Sequence, residues 1–107
     1  LTVQIDPDRP DLFTCAWAAL GKADETGYFP LHMGAMGTPE AYANGATFAH
    51  WRRGVPLGSW QAFEAATEQR RQEIEAQARR LLAAGDEAAA RQHLALLATE
   101  AATAKVV

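Results

Sequence analysis

The apolar positions of the chain begin as an alternation. Residues 1–5, LTVQI, switch between apolar and polar, the period of a half-buried strand. DPDRPD follows and reads as a turn into a helix. Asp8 can cap, Pro10 is tolerated in the first turn, and Asp11 suits the positive helix end. In DLFTCAWAAL, Leu12, Phe13, Ala16, Trp17 and Leu20 recur at helical spacing, which predicts a helix closed by Gly21. Residues 21–38 keep no period. Within them GYFPLHM predicts a short strand that pairs with TVQI, and Pro30 places that strand at a sheet edge. GAMG predicts a flexible apolar loop, with Met33 and Met36 beside its glycines.

From residue 38 onward the pattern is helical. TPEAYANGATFAHWRRG predicts a helix with Thr38 as N-cap, Pro39 in its first turn and Gly54 at its C-terminus, interrupted at Asn44-Gly45. A longer helix follows from about Trp60 to Ala84, rich in Ala, Glu, Gln, Arg and Leu and free of internal glycine and proline. Gly85 closes it, Asp86 caps the next helix, and that helix runs from about Glu87 to Thr103. LLAAGDEAAARQHLALL resembles the inter-helix turn of tetratricopeptide-type repeats. No second copy recurs at a fixed period, however, and the aromatic positions of that repeat are missing. The expected architecture is mainly α, about four helices ending in a long antiparallel helical hairpin, with a short N-terminal strand pair. Residues 1–107 form one small domain, in which 1–57 hold two helices and an irregular loop and 58–107 the hairpin.

Composition bounds what such a domain can do. The formal net charge of −3 gives the chain no overall attraction for phosphates. A single cysteine, Cys15, excludes an internal disulfide and reads as a buried thiol. There is neither a leader-like segment nor an apolar run of membrane-spanning length, so a soluble, cytoplasmic protein is expected, and the excess of arginine over lysine with abundant alanine suggests one of bacterial or phage type.

The richest cluster of side chains is FAHWRRGVP. On a helix Phe48 and Trp51 share one face, while His50 and Arg53 point away from it, so HWRR is not one constellation. Along the long helix, Trp60, Phe63, Thr67, Ile74, Ala78 and Leu81 form a narrow stripe. Between Phe63 and Ile74 this stripe holds only Thr67, flanked by Arg70 and Arg71. That gap reads as a docking seam in which Arg70 and Arg71 supply charge pairs and Ile74 and Leu81 apolar anchors. Met33 and Met36 form a second adaptable surface.

Catalytic patterns are absent. His32, His50 and His93 lie far apart, none with a metal-ligand spacing, and GAMGT lacks the lysine of a phosphate loop. Cys15 and a histidine would make a nucleophile pair only if the fold joined them. The expectation is a non-enzymatic protein-binding module, an accessory, adaptor or inhibitor, without metal or cofactor. It would meet another protein or a second copy of itself through Arg52, Arg53, Arg70, Arg71, Ile74, Leu81, Met33 and Met36. The alternatives are a nucleic-acid-binding regulator using the arginines, and a terminal domain of a larger chain.

Overall fold

In the computed structural model, which describes residues 2–19, 28–35, 37–43 and 57–103, the first half is organised by a sheet. Strands β1 (Thr2–Gln4), β2 (Cys15–Ala19) and β3 (Tyr28–His32) are antiparallel in the order β1-β2-β3. Two four-residue helices, α1 (Pro10–Phe13) and α2 (Glu40–Ala43), and two long ones, α3 (Leu57–Ala83) and α4 (Glu87–Thr103), complete the described residues. The molecule is therefore mainly helical with a small sheet. The remainder of the helix expected over residues 38–54 lies outside the described residues.

The helix expected over DLFTCAWAAL is a single turn followed by a strand. At Thr14 the backbone turns extended (φ −63°, ψ 126°), and Cys15–Ala19 become the central strand. Over so few residues both periods fit: Leu12, Phe13, Ala16 and Trp17 match a helix, and Cys15 and Trp17 match an alternation. Tertiary pairing decides, because β2 bonds on both sides. TVQ and YFPLH are strands, as their patterns predict, but they do not pair with each other. Thr2 stands opposite Trp17 and Gln4 opposite Cys15, while Cys15 in turn stands opposite His32 and Ala19 opposite Tyr28. The entry to α1 also differs from expectation. Arg9 is its N-cap residue, and Asp6 rather than Asp8 accepts the Arg9 backbone N–H, at 2.8 Å.

The Met33 N–H donates to the Thr14 carbonyl at 2.8 Å, which sets the phase of the β2–β3 ladder. Pro30 consequently falls at a position whose missing N–H would point away from β2, so no ladder bond is lost. Gly34 is required by a close approach. A Cβ there would stand 2.7 Å from the Leu12 Cα, and the Gly34 N–H donates to the Leu12 carbonyl.

Helices α3 and α4 are joined by Ala84–Asp86. Gly85 takes φ +86°, its N–H donates to the Leu82 carbonyl, and the Asp86 N–H donates to the Leu81 carbonyl. Asp86 Oδ1 then accepts the Ala89 N–H at 3.0 Å, capping α4 as its sequence predicts. The helices pack antiparallel around Ile74, Ala78, Ala90, Leu94 and Leu97, and this cluster also takes in Leu12, Phe13, Cys15 and Trp17. A second cluster gathers Phe29, Trp60, Phe63 and Ala101 against Tyr42, with the rings largely edge to face.

Candidate functional site

Residues opposite one another in paired strands share a face of the sheet. Gln4, Cys15, Trp17, Tyr28, Pro30 and His32 lie on the face toward α3. Val3, Ala16, Ala18, Phe29 and Leu31 lie on the other, and Ile5 and Met33 occupy the next positions of that alternation just beyond the ends of β1 and β3. The two faces have opposite chemistry.

The face toward α3 meets a ladder of charge. Glu64, Glu68, Arg71, Glu75 and Arg79 follow one another at spacings of four and three, within about 80° of the helix surface. Glu64 accepts the Tyr28 backbone N–H at 3.2 Å. Arg71 bonds both Glu68 oxygens through Nε and Nη2, and donates through Nη1 to Glu75 Oε2 at 2.6 Å. The same Glu75 oxygen accepts from His32 Nε2 at 2.8 Å. Arg79 donates to Asp6 Oδ1 at 2.6 Å, lies 3.8 Å from Glu75 Oε1, and stacks its guanidinium 3.9 Å above the Phe13 ring. The ladder thus engages β3 at Tyr28 and His32, and α1 and its entry at Phe13 and Asp6.

Burial pushes the Glu75 carboxyl upward, but the hydrogen bonds from His32 and Arg71 and the charge of Arg71 outweigh it and hold it below the usual glutamate value. Arg71 lowers Glu68 through its hydrogen bond and its charge. An ionised Glu75 can only accept, so His32 Nε2 carries the proton. His32 Nδ1 is buried and has no hydrogen-bond partner among the described residues.

Cys15 and His32, distant in sequence, are cross-strand neighbours at a non-hydrogen-bonded position, where side chains approach most closely. With Glu75 behind the imidazole, the order thiol, imidazole, carboxylate matches that of a nucleophile, its base and an orienting acid. The surroundings oppose that use. Cys15 is fully buried, and burial pushes its thiol up to about 12. A thiol so held stays protonated at neutral pH and presents no sulfur to a substrate. Among the described residues no group of three or more His, Cys, Asp or Glu could hold a metal ion.

The opposite face is apolar; its β3 end is closed where Phe29 is buried against Trp60 and Phe63, and it is open around Val3, Ile5 and Met33. Val3, Ile5 and Met33 are 48%, 73% and 63% exposed, and Ala16 and Leu31 beside them are half-buried. This surface includes one residue expected from sequence, Met33. Val3 and Ile5 were legible as the apolar half of the LTVQI alternation, but their exposure depends on where the helices pack.

The other expected residues are placed differently. Ile74 is fully buried between the sheet and α4, and Leu81 is partly buried against the same cluster, so neither is a surface anchor. Arg71 is spent on Glu68 and Glu75, which corrects its reading as a free docking charge. Arg70 is exposed and bridges Glu73 and Glu100. The gap at Thr67 is a groove of about 160 Å³ lined chiefly by Phe63, Ala66, Leu97 and Ala101, with Arg70 and Glu100 at its rim. Arg52, Arg53 and Met36 lie outside the described residues. No helix among the described residues is long and apolar enough to cross a membrane.

No family model matches this chain, and neither the curated proteins nor the solved structures contain a match to it.

Proposed function

We propose that the chain is a non-enzymatic protein-binding module of the accessory, adaptor or inhibitor kind, and that the open apolar face of its sheet meets the partner. The observation that carries this reading is the grouping of exposed Val3, Ile5 and Met33 on one sheet face, with half-buried Ala16 and Leu31 between them. Three large apolar side chains held by a rigid sheet can desolvate together against a partner, as interface anchors do. The adjustable thioether of Met33 suits a surface of this kind. Against a nucleic-acid partner stands the engagement of Arg70, Arg71 and Arg79 with carboxylates.

The test compares the chain with an Ile5→Lys/Met33→Lys variant as immobilised bait. Both sites are exposed, so circular dichroism should be unchanged. A protein retained by the parent and lost from the variant supports the reading. Identical capture by the two folded baits overturns it.

A further inference from the structure

The two margins of the sheet are treated differently. The outer edge of β3 is blocked at successive positions. Its Tyr28 N–H is taken by Glu64, Pro30 has no N–H to offer, and the Pro30 carbonyl accepts the Tyr42 hydroxyl at 3.4 Å. These are the devices by which sheet edges avoid pairing with other chains: covering, proline and an intruding charged side chain. β1 has none of them. Thr2, Val3 and Gln4 are all exposed, uncharged and free of proline, and among the described residues nothing pairs with their outer side.

The phase of the ladder fixes what that edge presents. Thr14 bonds toward β3, so Cys15 and Trp17 bond toward β1, and their partners Gln4 and Thr2 turn inward. The backbone N–H and C=O of Val3 therefore both point outward. The strand is also symmetric about that residue: in LTVQI the apolar and polar positions read the same in both directions from Val3. An antiparallel copy centred on Val3 would set Val3 against Val3 and Thr2 against the partner subunit's Gln4, apolar with apolar and polar with polar. No charge occurs within the paired stretch, so none is set against a like charge.

We propose that two copies of this chain pair antiparallel along β1, about a two-fold axis at Val3, to form one continuous six-stranded sheet. The two Val3 residues exchange both backbone hydrogen bonds. The two apolar faces join side by side and remain open, so this inference does not depend on the heterologous-partner reading above. Pairing over three-residue strands buries less than the ~1,200 Å² of a standard interface, which places the association at the weak end.

Light scattering on the whole chain from micromolar to millimolar concentration should give a mass rising from one chain toward two. Val3→Pro removes an N–H that no strand of its own molecule uses, as Pro30 already does in β3, and should hold the mass at one chain. Val3→Thr should leave the rise intact. Independently, Val3→Cys should form an inter-chain disulfide with oxidised glutathione. The hydrogen-bonded pair places its Cα atoms about 5.5 Å apart, whereas Thr2→Cys should not cross-link. Should Val3→Pro lose its circular dichroism signal, the cysteine pair alone decides. Four results overturn the proposal: a monomer at every concentration, a dimer that survives in folded Val3→Pro, equal cross-linking at both cysteines, or a monomer whose β1 takes up an extended segment of a different protein. Capture by the Ile5/Met33 face is read separately from mass, so either inference can fail alone.

Discussion

Glu75→Gln tests whether the charge ladder, centred on buried Glu75, holds the sheet to α3. In the native protein one carboxylate oxygen accepts from Arg71 at 2.6 Å and from His32 at 2.8 Å, in surroundings that leave the side chain 11% exposed. Hydrogen bonds to a charged group contribute about 1.5–3 kcal/mol each, and bonds between neutral groups about 0.5–1.5. The glutamine carbonyl can still accept, so each bond weakens by about 1 kcal/mol. The new amide also faces Arg79 where a carboxylate oxygen stood at 3.8 Å. Arg71 keeps Glu68, so the full ~3–5 kcal/mol of a broken buried pair is not reached. The expected loss is about 2–3 kcal/mol, or roughly 10–20 °C in Tm for a chain of this length. Guanidinium unfolding followed by tryptophan fluorescence measures it, since Trp17 and Trp60 are buried. The pH dependence supplies the sharper criterion. Glu75 lies below its ordinary value of 4.5 in the folded state, so its contribution is complete above that value and disappears as pH falls through the folded one. The gap between parent and variant should be constant from pH 7 to about 5 and close toward acid. A loss under about 0.5 kcal/mol, or a gap that persists in acid, would refute the reasoning.

Three further outcomes are expected. Cys15 should resist a thiol reagent at pH 8 in the native protein and react at once in denaturant, because burial holds its thiol near 12. Rapid native labelling would contradict its place in the core. Gly34→Ala should cost about 1–3 kcal/mol in denaturant unfolding, since the added Cβ meets backbone atoms of Leu12 that cannot swing aside. Asp86→Ala should cost about 1 kcal/mol by removing the cap on the Ala89 N–H, and a neutral result would mean that solvent replaces it without loss.

What could be read from the residues alone was the local chemistry of element ends. Gly85 and Asp86 announce the turn between the long helices, and the alternation in LTVQI announces β1 with its apolar face. β2 was not legible, because CAWAA is short enough to satisfy two periods and its state is set by β1 and β3, which are remote in sequence. The ladder was not legible for a different reason. Glu and Arg along a helix ordinarily mark the solvated face, and Arg71/Glu75 reads as a pair adding ~0.3 kcal/mol to an exposed helix. Here the charges form a second inward stripe beside the apolar one. The narrowness of the apolar stripe was the available signal: part of the face that α3 turns to the sheet is ionic, and a count of apolar residues misses it. His32 belongs to the same lesson. Its neighbours in sequence are apolar, and its partner Glu75 is supplied by α3.

The ladder also explains how so small a sheet keeps one register. A one-residue slip of β3 would carry His32 to the open face and bring an apolar neighbour against Glu75. Phe29 resists such a slip, because the slip would carry its ring out of the cluster with Trp60 and Phe63. The carboxylate does not tolerate it, since it would lose a hydrogen bond while remaining buried. Register is thus specified by direction-dependent bonds on the face toward α3 together with the burial of Phe29 on the other. The rest of the opposite face can then stay apolar and open around Val3, Ile5 and Met33 without leaving the fold ambiguous. An exposed apolar surface on a sheet held this firmly is pre-organised for contact, and this physical circumstance ties the buried network to the proposed role in binding.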